Sequence, residues 1–311
     1  MTNLQKNEII QLIKLESSKL GSDSKVATKC SVSKSLISNI LTGKHDNIKP
    51  EMWLSIGYTL GYNSTDWQTA ETFDFRKIHS LCNDVKNEHL FRILSAKAGM
   101  GKSTALEFYA DVKNDRQNKT QEENNIFYIR CREWSGRKFL TELCISLGID
   151  PENSKTDELG EKVSKFFINR SAYNPILIVD EADKLKDSAL RWFIHFYNEN
   201  KKITGCIMAG TEYLEKRIRD GVRLKKQGYN EIESRFGGIY VRLIGSREAD
   251  VIAICESNGI FEKTIQTKIF TECNPIPVIF NNQNIKVIVD LRKIEARIAR
   301  ELRIKNELQF S

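Results

Sequence analysis

The stretch Ala96-Lys97-Ala98-Gly99-Met100-Gly101-Lys102-Ser103-Thr104 decides the fold class of this chain. It follows an apolar run at residues 90–94 and precedes an amphipathic run at residues 106–112, which is the strand–loop–helix context of a phosphate-binding loop. The N–H groups of such a loop, with a helix N-terminus behind them, form a concave anion site. The alternative is a glycine-containing turn before a helix, but a Gly-x-Gly-Lys-Ser-Thr run in this context favours the phosphate site.

The same loop predicts a site for ATP and Mg²⁺. Lys102 would reach the β- and γ-phosphates, and the hydroxyl of Ser103 would complete the shell of Mg²⁺. Ala96 stands where the first glycine is usual, and a small side chain is tolerated there if the closest backbone approach falls to the two glycines. The residues expected to contact the nucleotide are Ala98, Gly99, Met100, Gly101, Lys102, Ser103 and Thr104.

A second motif follows Pro175 and reads Ile176-Leu177-Ile178-Val179-Asp180-Glu181-Ala182-Asp183. A continuous apolar run is typical of a strand buried on both faces of a parallel sheet, and its acids then emerge at the ligand-binding edge. Asp180 would hold Mg²⁺ through water, and Glu181 would act as the general base on the attacking water. Taken alone, an apolar run that ends in two acids indicates only an ordinary strand end. Downstream of a phosphate loop, the same motif predicts an ATPase.

The composition is that of an ordinary globular chain of two or three domains, with 311 residues, 40% hydrophobic and 29% charged. No apolar run is long enough to span a bilayer, and the N-terminus lacks the pattern of a signal peptide. The seven cysteines form no Cys-x-x-Cys pair, which argues against a zinc or redox motif and fits reduced thiols. These features predict a cytoplasmic protein with no membrane partner, and the net charge of +7 permits nucleic-acid binding.

Residues 24–44 predict two short helices joined by a tight turn. Small Ala27 would let the helices approach, Val32 would fill the turn, and Ile37 and Ile40 would face inward. Over roughly residues 5–60 this pattern resembles the lambda-repressor-like helix–turn–helix family, and the alternative is a helical bundle with no nucleic-acid role.

The outward positions of the second of these helices are short polar or basic groups, able to meet base edges and phosphates. Ser33 is also a natural N-cap for that helix. The expected DNA contacts are Ser33, Lys34, Ser35, Ser38, Asn39 and Lys44.

From Phe75 onward, strands alternate with helices, which predicts an α/β fold with a parallel sheet covered on both faces. The predicted strands are 90–94, 126–131, 176–179, 205–209 and 238–243, and the predicted helices between them are 103–112, 136–147, 156–169, 189–199 and 211–219. Residues 276–289 are apolar but interrupted and receive no assignment. The predicted domains are a helix–turn–helix domain (1–61), a linker (62–74), the P-loop domain (75–245) and a largely helical basic C-terminal region (246–311).

The phosphate loop and the Asp180-Glu181 strand, in this order, resemble the AAA+ ATPase family. The resemblance implies three further functional residues. Thr211, after an apolar strand, would orient the attacking water, although it could also cap the following helix. Arg235 would supply an arginine finger to the site of a neighbouring subunit, and Arg292 would be a lid sensor. The alternative for each arginine is an ordinary solvated side chain.

The order of all these elements resembles the transposition ATPases of the Mu-phage B type. That resemblance implies a homo-oligomer, ring or filament, on double-stranded DNA that captures the target and stimulates a transposase. A basic segment at residues 216–226 would contact DNA phosphates through Arg219 and Arg223, or would be a solvated helix face. The alternatives are a helicase-loader or replication-initiation ATPase and, from another class, a transcription regulator with a nucleotide-switch domain.

Overall fold

The computed structural model describes residues 3–45, 47–62, 67–115 and 125–309. The helices are α1 (Asn3–Leu20), α2 (Asp23–Lys29), α3 (Lys34–Leu41), α4 (Pro50–Thr59), α5 (Phe73–Asn87), α6 (Lys102–Asp115), α7 (Gly136–Ser146), α8 (Thr156–Ile168), α9 (Asp187–Asn200), α10 (Glu212–Arg223), α11 (Tyr229–Arg235), α12 (Glu248–Ser257), α13 (Lys263–Glu272) and α14 (Leu291–Gln309). The strands are β1 (Phe91–Ser95), β2 (Ile126–Arg130), β3 (Ile176–Asp180), β4 (Gly205–Gly210), β5 (Tyr240–Val241), β6 (Ile276–Phe280) and β7 (Gln283–Val287).

The chain divides into two compact units. The first comprises residues 1–72, 247–275 and 292–311, and the second comprises residues 73–246 and 276–291. Helices α12 and α13 and most of α14 are therefore grouped with the first four helices, whereas the sequence pattern predicts a separate region at residues 246–311. None of the helices in the described ranges is long and apolar enough to cross a membrane.

The second unit contains a five-stranded parallel sheet with the strand order β2-β3-β4-β1-β5. This confirms the predicted α/β fold, and each observed strand begins and ends within one residue of its prediction, except that the short β5 begins two residues later and ends two residues earlier than predicted. Strands β3 and β4 are buried along their whole length, because helices cover both faces of the sheet. The register pairs Ser95 with Gly210 and Arg130 with Asp180, so the carboxyl ends of β1, β4, β3 and β2 form one edge.

Residues 276–289, which the sequence pattern left unassigned, contain an antiparallel hairpin of β6 and β7. Its turn is Asn281-Asn282, and both residues have positive φ angles, 48° and 61°, as the twist of a two-residue hairpin requires. The ring of Phe280 packs edge-on against Phe73 at 5.4 Å.

In the first unit, α2 and α3 pack through the residues that the sequence singled out. Ala27, Ile37 and Ile40 are buried, and the side chain of Ser33 caps α3 by accepting a hydrogen bond from the N–H of Leu36 at 3.2 Å. Asn258, at the end of α12, binds both polar groups of one backbone residue. It accepts from the N–H of Gln68 at 2.9 Å and donates to the carbonyl of Gln68 at 3.0 Å.

Candidate nucleotide-hydrolysis site

The phosphate loop connects the end of β1 to the start of α6 beside the end of β4. The N–H of Ala96 donates to the carbonyl of Gly210 at 3.2 Å, which fixes the loop to the neighbouring strand. The positive φ angles of the loop fall at Gly99 (84°) and Gly101 (79°), whereas Ala96 has no positive φ and is buried. An alanine therefore fits the first position, because the conformation that favours glycine occurs later in the loop.

The predicted nucleotide contacts lie along this loop and the first turn of α6. Lys102, the first residue of α6, is 9% exposed, and Ser103 follows it in the same turn. Met100 is also buried, while Ala98 and Thr104 are exposed. The arrangement is a helix N-terminus behind two backbone positions of positive φ, and this combination binds anions.

A short strap, Asp290-Leu291, lies against the loop and was missed in the sequence analysis. The N–H of Leu291 donates to the carbonyl of Gly99 at 2.9 Å. A methyl group built on Gly99 would collide with the carboxylate of Asp290, and one on Gly101 would lie 2.8 Å from the side chain of Leu291. Both glycines are therefore needed for the close approach of the strap as well as for the shape of the loop.

Asp180, the predicted Mg²⁺ residue, is completely buried at the end of β3. Its Oδ2 accepts a hydrogen bond from the hydroxyl of Tyr128 at 2.9 Å, and its Oδ1 accepts one from the N–H of Glu181 at 2.8 Å. Arg130, on the neighbouring strand, has its Nε 3.8 Å from Oδ2 and also pairs with Glu107 on α6 at 3.1 Å. Burial, together with the adjacent charge of Asp180, raises the pKa of Tyr128, so this phenol stays a hydrogen-bond donor.

Glu181, the predicted general base, has a φ angle of 55°, in the left-handed region that costs a side-chain-bearing residue about 1 kcal/mol. Its carboxylate is paired with Lys184 in the same short turn. About one third of the Glu181 side chain is exposed. Only Oε2 of this carboxylate pairs with Lys184, so Oε1 can accept a hydrogen bond from the attacking water.

Thr211 lies just after β4, the strand between the loop strand and the Asp180 strand. Its hydroxyl accepts from the N–H of Tyr213 at 3.3 Å, so Thr211 does cap α10. The same hydroxyl donates to Oδ2 of Asp183 at 3.0 Å, and the N–H of Thr211 donates to Oδ1 at 3.2 Å. Its role as a sensor of the attacking water stays a prediction.

The two predicted catalytic arginines lie in different units. Arg235, at the end of α11, pairs with Glu231 at 3.1 Å and donates to Asn198 at 3.3 Å, so it is turned onto its own unit. Arg292 is exposed on α14, in the first unit. The finger and lid-sensor roles stay predictions.

The predicted DNA contacts on the helix–turn–helix segment all lie on the surface. The exposed residues are Ser33, Lys34, Ser35, Ser38, Asn39 and Lys44. In the basic segment, Arg219 is held by Glu215 at 2.9 Å and lies over the ring of Tyr240 at 4.8 Å, whereas Arg223 is 69% exposed and pairs only locally with Asp220. Arg219 therefore already has a structural role, and Arg223 is the more available cation.

Four residues that contact the candidate catalytic groups or their turn received no site role from the sequence, namely Tyr128, Arg130, Asp183 and Arg217. Arg217 was part of the predicted basic cluster, yet only 15% of its side chain is exposed. The available signal was its position on α10, next to Leu214, Ile218 and Gly221 on the buried stripe of that helix. No sequence signal of this kind identifies Tyr128, because its contact with Asp180 depends on the pairing of β2 with β3.

Comparisons with known proteins give a family match and similar solved structures. Residues 85–218 match the family model of the AAA domain. No protein of curated function matches the chain at a significant level. Among solved structures, the ORC2 protein of Aeropyrum pernix is similar at 10% identity over 68% of this chain and 59% of its own, with a TM-score of 0.47. CDC6P of Pyrobaculum aerophilum is similar at 14% identity over 76% of this chain and 61% of its own, also at 0.47.

The ORC1 protein of Aeropyrum pernix, in a complex with DNA, is similar at 10% identity over 79% of this chain and 63% of its own, with a TM-score of 0.47. The chain spans about three fifths of the length of each of these three proteins. The phosphate loop, the buried Asp180 and the parallel sheet all fall in or next to the matched residues 85–218. This part of the chain therefore matches an AAA domain and has the parallel, helix-covered sheet of the AAA+ P-loop fold.

Proposed function

We propose that this protein is an ATP-hydrolysing, DNA-binding AAA+ ATPase that assembles on duplex DNA and is released when ATP is hydrolysed. One observation carries the proposal. The strand register brings the loop of Lys102, the cap residue Thr211 and the acids Asp180 and Glu181 to one edge of the sheet. These are the group types that phosphoryl transfer to water requires, namely a phosphate cradle, a metal-holding acid and a base.

The residues present fit a magnesium–ATP complex. The loop N–H groups and Lys102 would bind the phosphates. Ser103 and Asp180 would hold Mg²⁺, because hard oxygen ligands suit it. The two donors to Asp180, Tyr128 and the N–H of Glu181, leave its carboxyl oxygens further acceptor positions. When bound, the metal ion neutralises phosphate charge. Glu181 would accept the proton of the attacking water through its carboxylate.

Two variants test hydrolysis. Glu181→Gln should keep ATP binding and lose turnover, because the amide cannot accept the proton of water. Lys102→Ala is the matched control and should lose ATP binding itself. An unchanged turnover rate in Glu181→Gln removes Glu181 from the proposed role.

The exposed polar face of α3 and the exposed cations after it support DNA binding. Electron microscopy on random duplex DNA with ATP, with ADP and with the Glu181→Gln variant tests assembly. With ATP, the wild-type protein should form rings or filaments on the DNA, and the Glu181→Gln variant should form more of them. With ADP, or with the Lys102→Ala variant, none should form. A dimer on one short palindromic site, insensitive to nucleotide, would instead favour the transcription regulator.

Two versions of this function differ in the protein partner of the ATPase. The sequence resemblance favours a transposase, whose strand transfer should be stimulated by the ATP-bound assembly. A helicase-loader or replication-initiation role uses the same ATP site and predicts loading of a replicative helicase instead. Parallel strand-transfer and helicase-loading assays separate the two.

A further inference from the structure

We propose that Asp183 is a positioning residue that fixes the hydroxyl of Thr211 for hydrolysis, and that Arg217 holds Asp183 in place. The inference rests on the proposed ATPase function and adds two residues to it. Asp183 comes two residues after Glu181, and Arg217 lies on α10, whose N-cap is Thr211.

The carboxylate of Asp183 meets two donors of the same residue. Its Oδ1 accepts from the N–H of Thr211 at 3.2 Å and its Oδ2 accepts from the hydroxyl of Thr211 at 3.0 Å. Gly210 makes this approach possible, because a methyl group there would lie 2.7 Å from Oδ1 of Asp183. The turn after β3 and the end of β4 are thus joined by a pair of charge-assisted hydrogen bonds.

This pairing sets the polarity of the Thr211 hydroxyl. A hydroxyl can donate one hydrogen bond and accept two. Thr211 donates its one hydrogen bond to Asp183, and one of its two lone pairs accepts a hydrogen bond from the N–H of Tyr213. One lone pair remains, so toward a water molecule Thr211 can act only as an acceptor. A water held in this way has one of its protons directed at Thr211, which orients its oxygen.

Arg217 fixes the turn that carries Asp183. Its Nη1 donates to the carbonyls of Asp183 at 3.2 Å and Leu185 at 2.6 Å, and its Nη2 pairs with Asp187 at 2.5 Å. The hydroxyl of Tyr229 accepts from Nε of Arg217 at 3.1 Å and donates to Asp187 at 2.8 Å. One guanidinium group therefore spans the turn from Asp183 to Asp187 and ties it to α10.

Asp183→Asn tests the positioning role. The carboxylate faces two donors, and an amide offers only one acceptor oxygen, so one contact is lost and an NH₂ group faces a donor. We expect kcat for ATP to fall about tenfold, the rate equivalent of one charge-assisted hydrogen bond. The dissociation constant of a non-hydrolysed ATP analogue should stay within about twofold, because Asp183 is not expected to contact the nucleotide. Asp220→Asn, on α10 and outside this set of contacts, is the matched control and should leave kcat unchanged.

A double-mutant cycle shows whether Asp183 acts through Thr211. Thr211→Val keeps the shape and removes the hydroxyl, and in that background Asp183→Asn should lower kcat by much less than tenfold. An equal loss in both backgrounds, or a normal kcat in Asp183→Asn, overturns the inference. If Asp183→Asn does not fold, Arg217→Lys provides a second test, because a lysine cannot bind the two carbonyls and Asp187 together. A normal kcat in Arg217→Lys also overturns the inference. Absence of hydrolysis by the wild-type protein would contradict the proposed function instead.

Discussion

Replacing Tyr128 by Phe probes how the buried charge of Asp180 is held. The phenol donates to Oδ2 at 2.9 Å, and its removal changes no other polar group of the side chain. Asp180 is completely buried, so water cannot replace the lost donor without entering the sheet edge. A hydrogen bond to a buried charged group contributes about 1.5–3 kcal/mol.

The expected loss is near the lower end of that range, about 2 kcal/mol, because two other donors remain near the carboxylate. The N–H of Glu181 keeps its bond to Oδ1, and the Nε of Arg130 lies 3.8 Å from Oδ2, close enough to shift toward it. For a unit of this size, about 2 kcal/mol lowers the unfolding temperature by about 4–8 °C. With Mg²⁺ and ATP present the loss should be smaller, since a metal-bound water can donate to the freed oxygen.

Thermal unfolding with and without Mg²⁺ and ATP measures both effects. Tyr173→Phe is the control, because Tyr173 is 41% exposed and removal of its hydroxyl leaves no buried charge unpaired. If Tyr128→Phe shifts the transition no more than this control, the charge of Asp180 is held by other groups. If the loss is the same with and without nucleotide, Asp180 does not face the metal-bound water.

Three further predictions concern charge. Burial alone would raise the pKa of Glu215, but hydrogen bonds and charges from Arg242 and Arg219 outweigh it and lower that pKa. The stability that this pair of contacts provides is therefore complete above the ordinary value of 4.5 and is lost as the pH falls through the lowered one. Glu215→Gln should flatten that acid-side loss in a pH series of urea unfolding. Arg223→Gln should weaken binding to random duplex DNA and reduce the slope of log affinity against log salt concentration by about one. Fluorescence anisotropy measures this slope, and an unchanged slope would exclude a phosphate contact of Arg223. Asp290→Asn should tighten ATP binding by about threefold to tenfold in a nucleotide titration, because a carboxylate against the phosphate loop repels the phosphates. An unchanged affinity for ATP would contradict that repulsion.

The sheet and the phosphate loop were predictable because their signals are local. A strand buried on both faces, such as residues 176–180, has to be apolar at every position, and the loop carries its glycines where the backbone needs them. The hairpin at residues 276–287 was not predictable, since its strands carry apolar residues without clear alternation and Asn281-Asn282 is its only turn signal.

The contacts that organise the candidate site were hidden for a different reason. Asp183 meets Thr211 from 28 positions away, and Tyr128 meets Asp180 from 52 positions away, so each pairing depends on strand order. Arg217 looked like one more cation of a basic segment, because charge composition does not distinguish the buried stripe of α10 from its exposed face. The sequence pattern therefore proposes catalytic groups but leaves out the residues that contact and hold them.

These holding contacts divide the candidate site into a fixed part and a movable part. Asp180 and Thr211 are fixed by neighbours across the sheet, through contacts that are buried or partly buried. Glu181 and Arg235 are instead paired with residues three and four positions away, Lys184 and Glu231, each of them an exposed partner, and Arg235 also donates to Asn198 on α9. Exposed ion pairs contribute only about 0–1 kcal/mol, so nucleotide or a neighbouring subunit can replace them at little cost. The groups proposed to bind metal and orient water are thus preorganised, while the proposed base Glu181 and the predicted finger Arg235 are held by ion pairs with exposed partners, which is the arrangement expected of an ATPase whose turnover depends on assembly.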